Sequence, residues 1–331
     1  MVRGRVVKLD RGFPQVLAES GDVLRCEHAT ALVKGKDKRM VIGDFVEVDM
    51  PDGHDKGVIV SIYPRTREFV RKDPTERTQP QVLAANFDKV IIAEPLADLN
   101  FKRLERELVL AHETGADVCV VLTKADLADS AEQVEAVRER AQRFAGAAVD
   151  VLVISAEDPD SVEAVRRAVP AGTLAILIGK SGVGKSSLIN VLVGREVRVT
   201  GDVRAYDGKG RHTTVSRAIV DIPGAGSLVD MPGVRGLGLW DADAGIEAAF
   251  AEVEELAAQC RFRDCKHEAE PGCAVRAAVE AGELSAERFA SYQALKQEVA
   301  QVAERREQAR QMRGQKASGA RGGRTTRGKR K

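Results

Sequence analysis

The run Gly179-Lys180-Ser181-Gly182-Val183-Gly184-Lys185-Ser186 has the residue types and spacing of a loop that cradles phosphates. Its glycines let the backbone curl so that successive N–H groups converge on phosphate oxygens. A helix opening at its end adds a favourable dipole field. In that geometry Lys185 bridges the β- and γ-phosphates, Ser186 ligates Mg2+, and Ser187 joins the binding set. Asp230-Met231-Pro232-Gly233 offers a carboxylate that can hold Mg2+ through water and a backbone N–H, at Gly233, that can touch the γ-phosphate. Between these two motifs lies Gly210-Arg211-His212-Thr213-Thr214. A threonine there, here Thr214 beside Thr213, completes a Mg2+ shell only while the γ-phosphate is present, which is an order–disorder switch.

The base is addressed by two shorter motifs. Thr123-Lys124-Ala125-Asp126 closes an apolar run. A carboxylate at position 126 accepts from guanine's ring N–H and amino group together, a pair that adenine does not offer. Lys124 lays its stem over the base. Ser155-Ala156 closes the next apolar run, where the Ala156 N–H suits the guanine oxygen. Each motif alone is weak. Their joint placement at the ends of successive predicted strands is where open α/β sheets bind ligands. GTP and GDP are therefore the expected ligands, and Asp126 argues against the alternative of ATP-dependent phosphoryl transfer.

A third cluster is Cys260-x4-Cys265-x-His267-x5-Cys273. Three thiolates and one imidazole make a closed tetrahedral zinc shell of the structural kind. Five cysteines in 331 residues are too few for a disulfide framework. Cys119 reads as core, and Cys26 has no partner nearby. From Arg305 to Lys331 the chain holds eleven Lys/Arg and one Glu, so this tail carries +10 of a net +1 and the remainder −9. Such a tail can neutralise the phosphates of a polyanionic partner. No run of about 18 apolar residues is present, and the first residues read as no secretory signal, so a cytoplasmic protein free of the membrane is expected.

The elements that must position these groups follow from periodicity. Residues 1–65 read as short strands separated by Gly/Asp turns, at the size of a five-stranded oligonucleotide-binding (OB-type) barrel. Residues 66–87 are polar, contain Pro74 and Pro80, and read as a linker. Residues 88–239 alternate apolar strands with helical patterns, which indicates a mainly parallel sheet. Residues 240–313 hold the Cys/His cluster and a long charged helix, Ser285–Arg313, and 314–331 read as a basic disordered tail. Trp240 reads first as a core anchor and second as a lever between switch and zinc domain.

The order of the motifs is itself informative. An ordinary GTPase runs from phosphate loop through switches to base-reading motifs. Here the base-reading motifs come first. The same spatial sheet is reached with the chain reopened elsewhere, a circular permutation. With Val82-Leu-Ala-Ala-Asn86, Gly208-Lys-Gly-Arg-His-Thr-Thr214 and the Cys260–Val275 module, the chain resembles the circularly permuted small ribosomal subunit biogenesis GTPases, the RsgA (YjeQ) family, over about residues 1–300. The resemblance implies an OB-type barrel, a permuted GTPase domain and a helical zinc domain. It also implies an enzyme that binds the small ribosomal subunit and its rRNA late in assembly and whose hydrolysis the subunit stimulates; a monomer is expected.

Two departures stand out. Thr123 replaces the family's Asn, and Met231 replaces its Thr. Val234 follows Gly233 where Ras-type enzymes place a water-orienting Gln. Valine cannot orient water, so His212 is the catalytic candidate, with Lys185 and Thr214. A nucleotide-gated RNA-binding module with negligible catalysis is the alternative that Val234 favours.

Overall fold

The computed structural model describes residues 1–9, 13–29, 39–51, 53–72, 80–194, 217–231 and 238–322, with backbone only for 313–322. The chain divides into two compact units. One comprises Met1–Val70 and Val82–Leu237; the other comprises Arg71–Gln81 and Gly238–Lys331.

The first unit opens with β1 (Val2–Leu9), β2 (Pro14–Ala18), β3 (Val23–His28), β4 (Phe45–Asp49) and β5 (Gly57–Ile62). Neighbours pair in the order β1-β2-β3-β5-β4, and β4 returns to β1, which closes a five-stranded barrel. Alternation turns Val6, Val16, Cys26, Val46, Val48 and Ile59 inward. Burial pushes the Cys26 thiol up to about 11, as befits a packed, unreactive side chain. At the barrel's end Arg65 and Asp44 form a buried ion pair at 2.6 Å, and Asp44 also accepts from the Val41 N–H. Gly43, at φ +87°, lies against strand backbone: a Cβ there would stand 2.1 Å from the Ala85 carbonyl oxygen.

The remaining sheet of this unit follows the expected alternation. It contains β8 (Lys89–Pro95), α1 (Phe101–His112), β9 (Asp117–Thr123), α2 (Ala131–Ala145), β10 (Asp150–Val153), α3 (Pro159–Ala168), β11 (Leu174–Ile178), α4 (Lys185–Val193), β12 (Arg217–Asp221) and β13 (Ser227–Asp230). The strand order is β10-β9-β8-β11-β13-β12. The first five are parallel, and β12 is antiparallel. Caps match the sequence signals. Asn100 accepts from the Arg103 N–H, Ser130 from Gln133, and Asp158 from Asp160. Ile91, Ala93, Cys119, Val121, Ala175, Leu177, Leu188 and Leu192 fill the layer between sheet and helices. Burial raises the Cys119 thiol to about 12, in keeping with a core role.

The structure also joins barrel and parallel sheet into one. The end of β1 pairs antiparallel with β12, Lys8 opposite Ala218 and Leu9 opposite Arg217. The Arg217 guanidinium bonds the Leu83 carbonyl at 3.2 Å.

Two sequence expectations need correction. Residues 66–87, read as a linker, contain β6 (Glu68–Lys72) and β7 (Pro80–Ala85), paired as a two-stranded ribbon, with Phe69, Leu83, Ala84 and Ala85 buried. The high charge of residues 71–77 and two prolines hid the ribbon. The long helix also outruns its expected end, since α8 spans Ala286–Gly322. Ala, Lys, Arg and Gln are good helix formers, and here they override glycines 314 and 319.

The second unit holds α5 (Asp243–Ala249), α6 (Ala251–Ala257), α7 (Ala274–Ala281) and α8. Arg288 of α8 is buried, with its guanidinium 3.9 Å from the Phe250 ring centre and bonded to Glu252 at 2.7 Å. Tyr292 packs edge-on to Phe250 and donates to Glu254 at 2.9 Å. The segment leading in from the first unit is held here too. The Leu239 N–H donates to Glu298, and Arg306 pairs with Asp241 at 2.9 Å while covering the half-buried Trp240 ring.

Candidate functional site

Four of the expected motifs meet at the carboxyl ends of the parallel strands. The phosphate loop joins β11 to α4, the base motif ends β9, Ser155 follows β10, and Asp230 is the last residue of β13. That shared sheet end is a consequence of the parallel strands, which put the loop after every strand at the same end.

The loop has the backbone its glycines permit: φ is +140° at Gly179, +86° at Gly182 and +104° at Gly184. Gly179 is required sterically as well, because a Cβ there would lie 2.2 Å from the Ala93 carbonyl oxygen of β8. Val183 is buried in the core, whereas Lys180, Ser181, Gly182, Ser186 and Ser187 are exposed. No side chain caps the start of α4 and no acidic residue stands in its first turn, so its N–H groups are available to an anion. Lys185 is 6% exposed, and its ammonium donates to the Gly179 and Lys180 carbonyls at 2.7 and 3.0 Å. Burial lowers the Lys185 pKa, and the nearby Asp230 opposes that shift. Burial likewise raises Asp230, opposed by Lys185. Among the described residues the buried Asp230 Oδ1 has no hydrogen-bond partner. An orphaned carboxylate oxygen beside a phosphate loop fits a hydrated Mg2+ ion, which would satisfy it.

The base motif is braced from both sides. Thr123 is 3% exposed, and its hydroxyl donates to the Val183 carbonyl, with the Glu94 carbonyl at 3.2 Å. Thr123 thus ties the end of β9 to the phosphate loop, although it departs from the family's Asn. Lys124, at φ +59°, reaches across to donate to the Gly182 carbonyl at 2.7 Å. The Asp126 carboxylate accepts from the Ser155 hydroxyl at 2.7 Å, and that hydroxyl accepts in turn from the Glu157 N–H at 3.1 Å. Ala156 is exposed beside it. Ser161, unremarked in the sequence, clamps this loop: its hydroxyl accepts from the Ser155 N–H and lies 3.1 Å from the Ser155 carbonyl. Its only sequence signal is its place in the first turn of α3.

Thr123→Ala removes a buried hydroxyl donor and is expected to weaken GDP binding about fivefold to tenfold, the equivalent of about 1–1.5 kcal/mol. Thr123→Ser is expected to restore it. Titration with a fluorescent GDP measures both, and equal affinities in all three proteins would dismiss the brace. His212, Thr213, Thr214, Gly233 and Val234 lie outside the described residues.

In the second unit one ligand atom from each of Cys260, Cys265, His267 and Cys273 lies within 4.8 Å of all the others. The Cys260–Cys273 sulfurs are 3.9 Å apart, and His267 Nδ1 is 3.6 and 3.4 Å from them. A tetrahedral zinc with Zn–S of about 2.3 Å needs S–S edges of about 3.8 Å and shorter S–N edges, so the donors fit that ion. Local structure sets this geometry. Cys273 is the N-cap of α7, and its sulfur accepts from the Arg276 N–H. His267 sits at φ +60°. The Glu270 carboxylate, missed in the sequence, accepts from the N–H groups of Lys266, Glu268 and Ala269. Those backbone bonds hold the Glu270 pKa down to about 2. No helix among the described residues is long and apolar enough to cross a membrane.

Comparison with known proteins agrees with this geometry. A family model described as RsgA GTPase matches residues 62–240, more than half of the chain. A second, described as 50S ribosome-binding GTPase, matches 174–309; it starts at the phosphate-loop strand and leaves out the base motif upstream. The chain is 44% identical over 301 residues to the small ribosomal subunit biogenesis GTPase RsgA of Streptomyces avermitilis, covering 90% of this chain and 80% of that one. It is 44% identical over 269 residues to that of Xanthomonas axonopodis pv. citri, covering 81% and 72%. Among solved structures it is similar to YjeQ from Thermotoga maritima, with a TM-score of 0.65 and 27% identity over 88% of this chain and 95% of that one. The fold is also that of YloQ, titled a circularly permuted GTPase, with a TM-score of 0.64 and 23% identity over 92% and 96%. With its base-reading strand upstream of its phosphate loop and relatives of this kind over nine-tenths of its length, the chain belongs to the RsgA GTPase family and is a circularly permuted GTP hydrolase.

Proposed function

We propose that this GTPase binds the small ribosomal subunit late in its assembly and hydrolyses GTP to GDP and phosphate under stimulation by that subunit. The observation that carries the reading is the 44% identity, over 90% of the chain, to enzymes named for small-subunit biogenesis. The barrel, the Cys/His unit and the basic C-terminal end supply the rRNA contacts, and the protein works in the cytoplasm as a monomer.

In this reading Asp126, aligned by Ser155, accepts from the guanine edge, Lys124 covers the base, and the Ala156 N–H meets its oxygen. The N–H groups from Gly179 to Ser187 enclose the phosphates, and Lys185 leaves its own loop carbonyls for phosphate oxygens. Ser186, Thr214 and Asp230 would hold Mg2+, which when bound neutralises phosphate charge. His212 orients the attacking water that Val234 cannot, and Thr214 and Gly233 sense the γ-phosphate. Zn2+ would be held by Cys260, Cys265, His267 and Cys273 as a structural ion.

The test is GTP hydrolysis by the purified protein alone, with purified small subunits and with purified large subunits. Strong stimulation by small subunits only is expected, together with its loss in His212→Ala at unchanged GTP affinity. Stimulation by large subunits only would favour the second reading, for which the 50S description of one matching family model is the motive. No stimulation by either would remove the ribosomal partner.

A further inference from the structure

Behind the phosphate loop lies a cluster of charged side chains that the cycle above does not use. Glu94 at the end of β8 and Glu107 on α1 have side chains 3% and 0% exposed. Both take the guanidinium of Arg103 from α1, at 2.8 and 2.9 Å. Among the described residues, the other charges that act on this cluster are Lys185 on α4 and, influencing it, Asp230 on β13. Among the described residues, and counted as ions, the carboxylates Glu94, Glu107 and Asp230 face Arg103 and Lys185, an excess of one negative charge. One proton restores neutrality. The backbone of the same strand end supports the site directly, since Ala93 abuts Gly179 and the Glu94 carbonyl faces the Thr123 hydroxyl.

We propose that Glu107, buried against Glu94 on the Arg103 guanidinium, keeps its proton and is a positioning residue for nucleotide binding. Neutral, it lets the floor of the phosphate loop meet an anionic ligand without an opposing charge. Ionised, it competes with the phosphates for Lys185. Two buried carboxyls on one guanidinium cannot both ionise cheaply. Burial first, then the Glu94 charge, pushes the Glu107 carboxyl up to about 9, against the pull of Arg103. The sign follows. A carboxyl raised from the ordinary carboxylate range contributes stability that is present at acid pH and lost as pH rises through about 9. Nucleotide affinity should fall over the same upper range, because bound phosphates favour the protonated form.

The inference rests on the phosphate-loop reading, and its test separates the two. The full-length protein and Glu107→Gln, which mimics the neutral carboxyl, are titrated with a fluorescent GDP from pH 6.5 to pH 9. Matched affinities are expected at pH 6.5, and a wild type weaker by about threefold or more at pH 9. Guanine's own ring proton titrates alike in both proteins, so the ratio isolates Glu107. Glu94→Gln removes the charge that helps to hold the proton and should move the wild-type decline to lower pH. Melting without nucleotide is the second readout: wild type should lose Tm relative to Glu107→Gln between pH 5 and pH 9. A flat affinity ratio, or parallel melting profiles, overturns the proposal. Failure of the wild type to bind GDP at any pH would fault the nucleotide site instead, and the melting comparison would then judge the Glu107 proton by itself.

Discussion

Lys185→Ala is expected to lower single-turnover GTP hydrolysis by about two to three orders of magnitude, the usual cost of removing one charged donor from a transition state of this kind. The structure gives the reason in detail. The Lys185 ammonium is buried, acts electrostatically on Asp230, and is already aimed at the loop by bonds to Gly179 and Lys180. Those two carbonyls hold it where an incoming phosphate can take it over with little movement, so the side chain is pre-organised for its ligand. Affinity for GTP should fall as well. The preference for guanine over adenine in whatever binding remains should persist, because Asp126 and Ser155 form a separate hydrogen-bonded pair. A variant that hydrolyses GTP at the wild-type rate would remove Lys185 from the site.

Loss of zinc should have an effect of similar size on a different property. Zinc bound to small Cys/His modules stabilises them by roughly 10–16 kcal/mol at neutral pH, which is comparable to the whole stability of a domain. The stretch from Cys260 to Cys273 contains no helix or strand, so few other interactions replace the ion. Chelation, or Cys273→Ser, is therefore expected to unfold this segment and to fray α7, whose N-cap is Cys273. Metal analysis should find one zinc per chain in the wild type. Limited proteolysis should cut between residues 258 and 273 only after chelation, while GDP binding at the first unit survives. Wild-type protein that contains no zinc and resists protease equally with and without chelator would reduce the cluster to packed cysteines.

The proposed nucleotide residues could be named from the sequence because their chemistry forces local sequence. Gly179, Gly182 and Gly184 all adopt positive φ, and only glycine does so freely, so a phosphate loop marks itself by spacing. Thiol and imidazole ligands mark a zinc site in the same way. Residues acting through tertiary position carry no such mark. Glu270 is one of several acidic residues in its loop until its carboxylate is seen to collect three backbone N–H groups. Ser161 looks like any serine in a first helical turn. Glu94 and Glu107 stand thirteen positions apart and become one group only through Arg103. The ribbon β6–β7 was lost for a related reason, since the charges and prolines from Arg71 to Pro80 mask two short strands whose buried residues, Phe69 and Leu83 to Ala85, show no alternation. The barrel's size and turns were legible, but the pairing of β1 with β12 was not, because strand partners two hundred residues apart leave no periodicity to read.

That last pairing bears on how the chain folds as it is made. Lys8 leaves the ribosome 210 residues ahead of its partner Ala218, an interval of about 10–40 s at bacterial synthesis rates. Val2–Arg5 find β4 early and can close the barrel. The neighbouring stretch of β1 must wait with one flank unpaired, a template for wrong partners. Reopening the chain upstream of the phosphate loop lengthens that wait, because β8, β9 and β10 are all synthesised before β11 can join them. The strands that carry Asp126 and Ser155 are therefore built first and Asp230 last, so on the proposed reading of the site a nascent chain gains its ligand only when the final strand, β13, has zipped into the sheet. GTP added during translation should speed only that closing step.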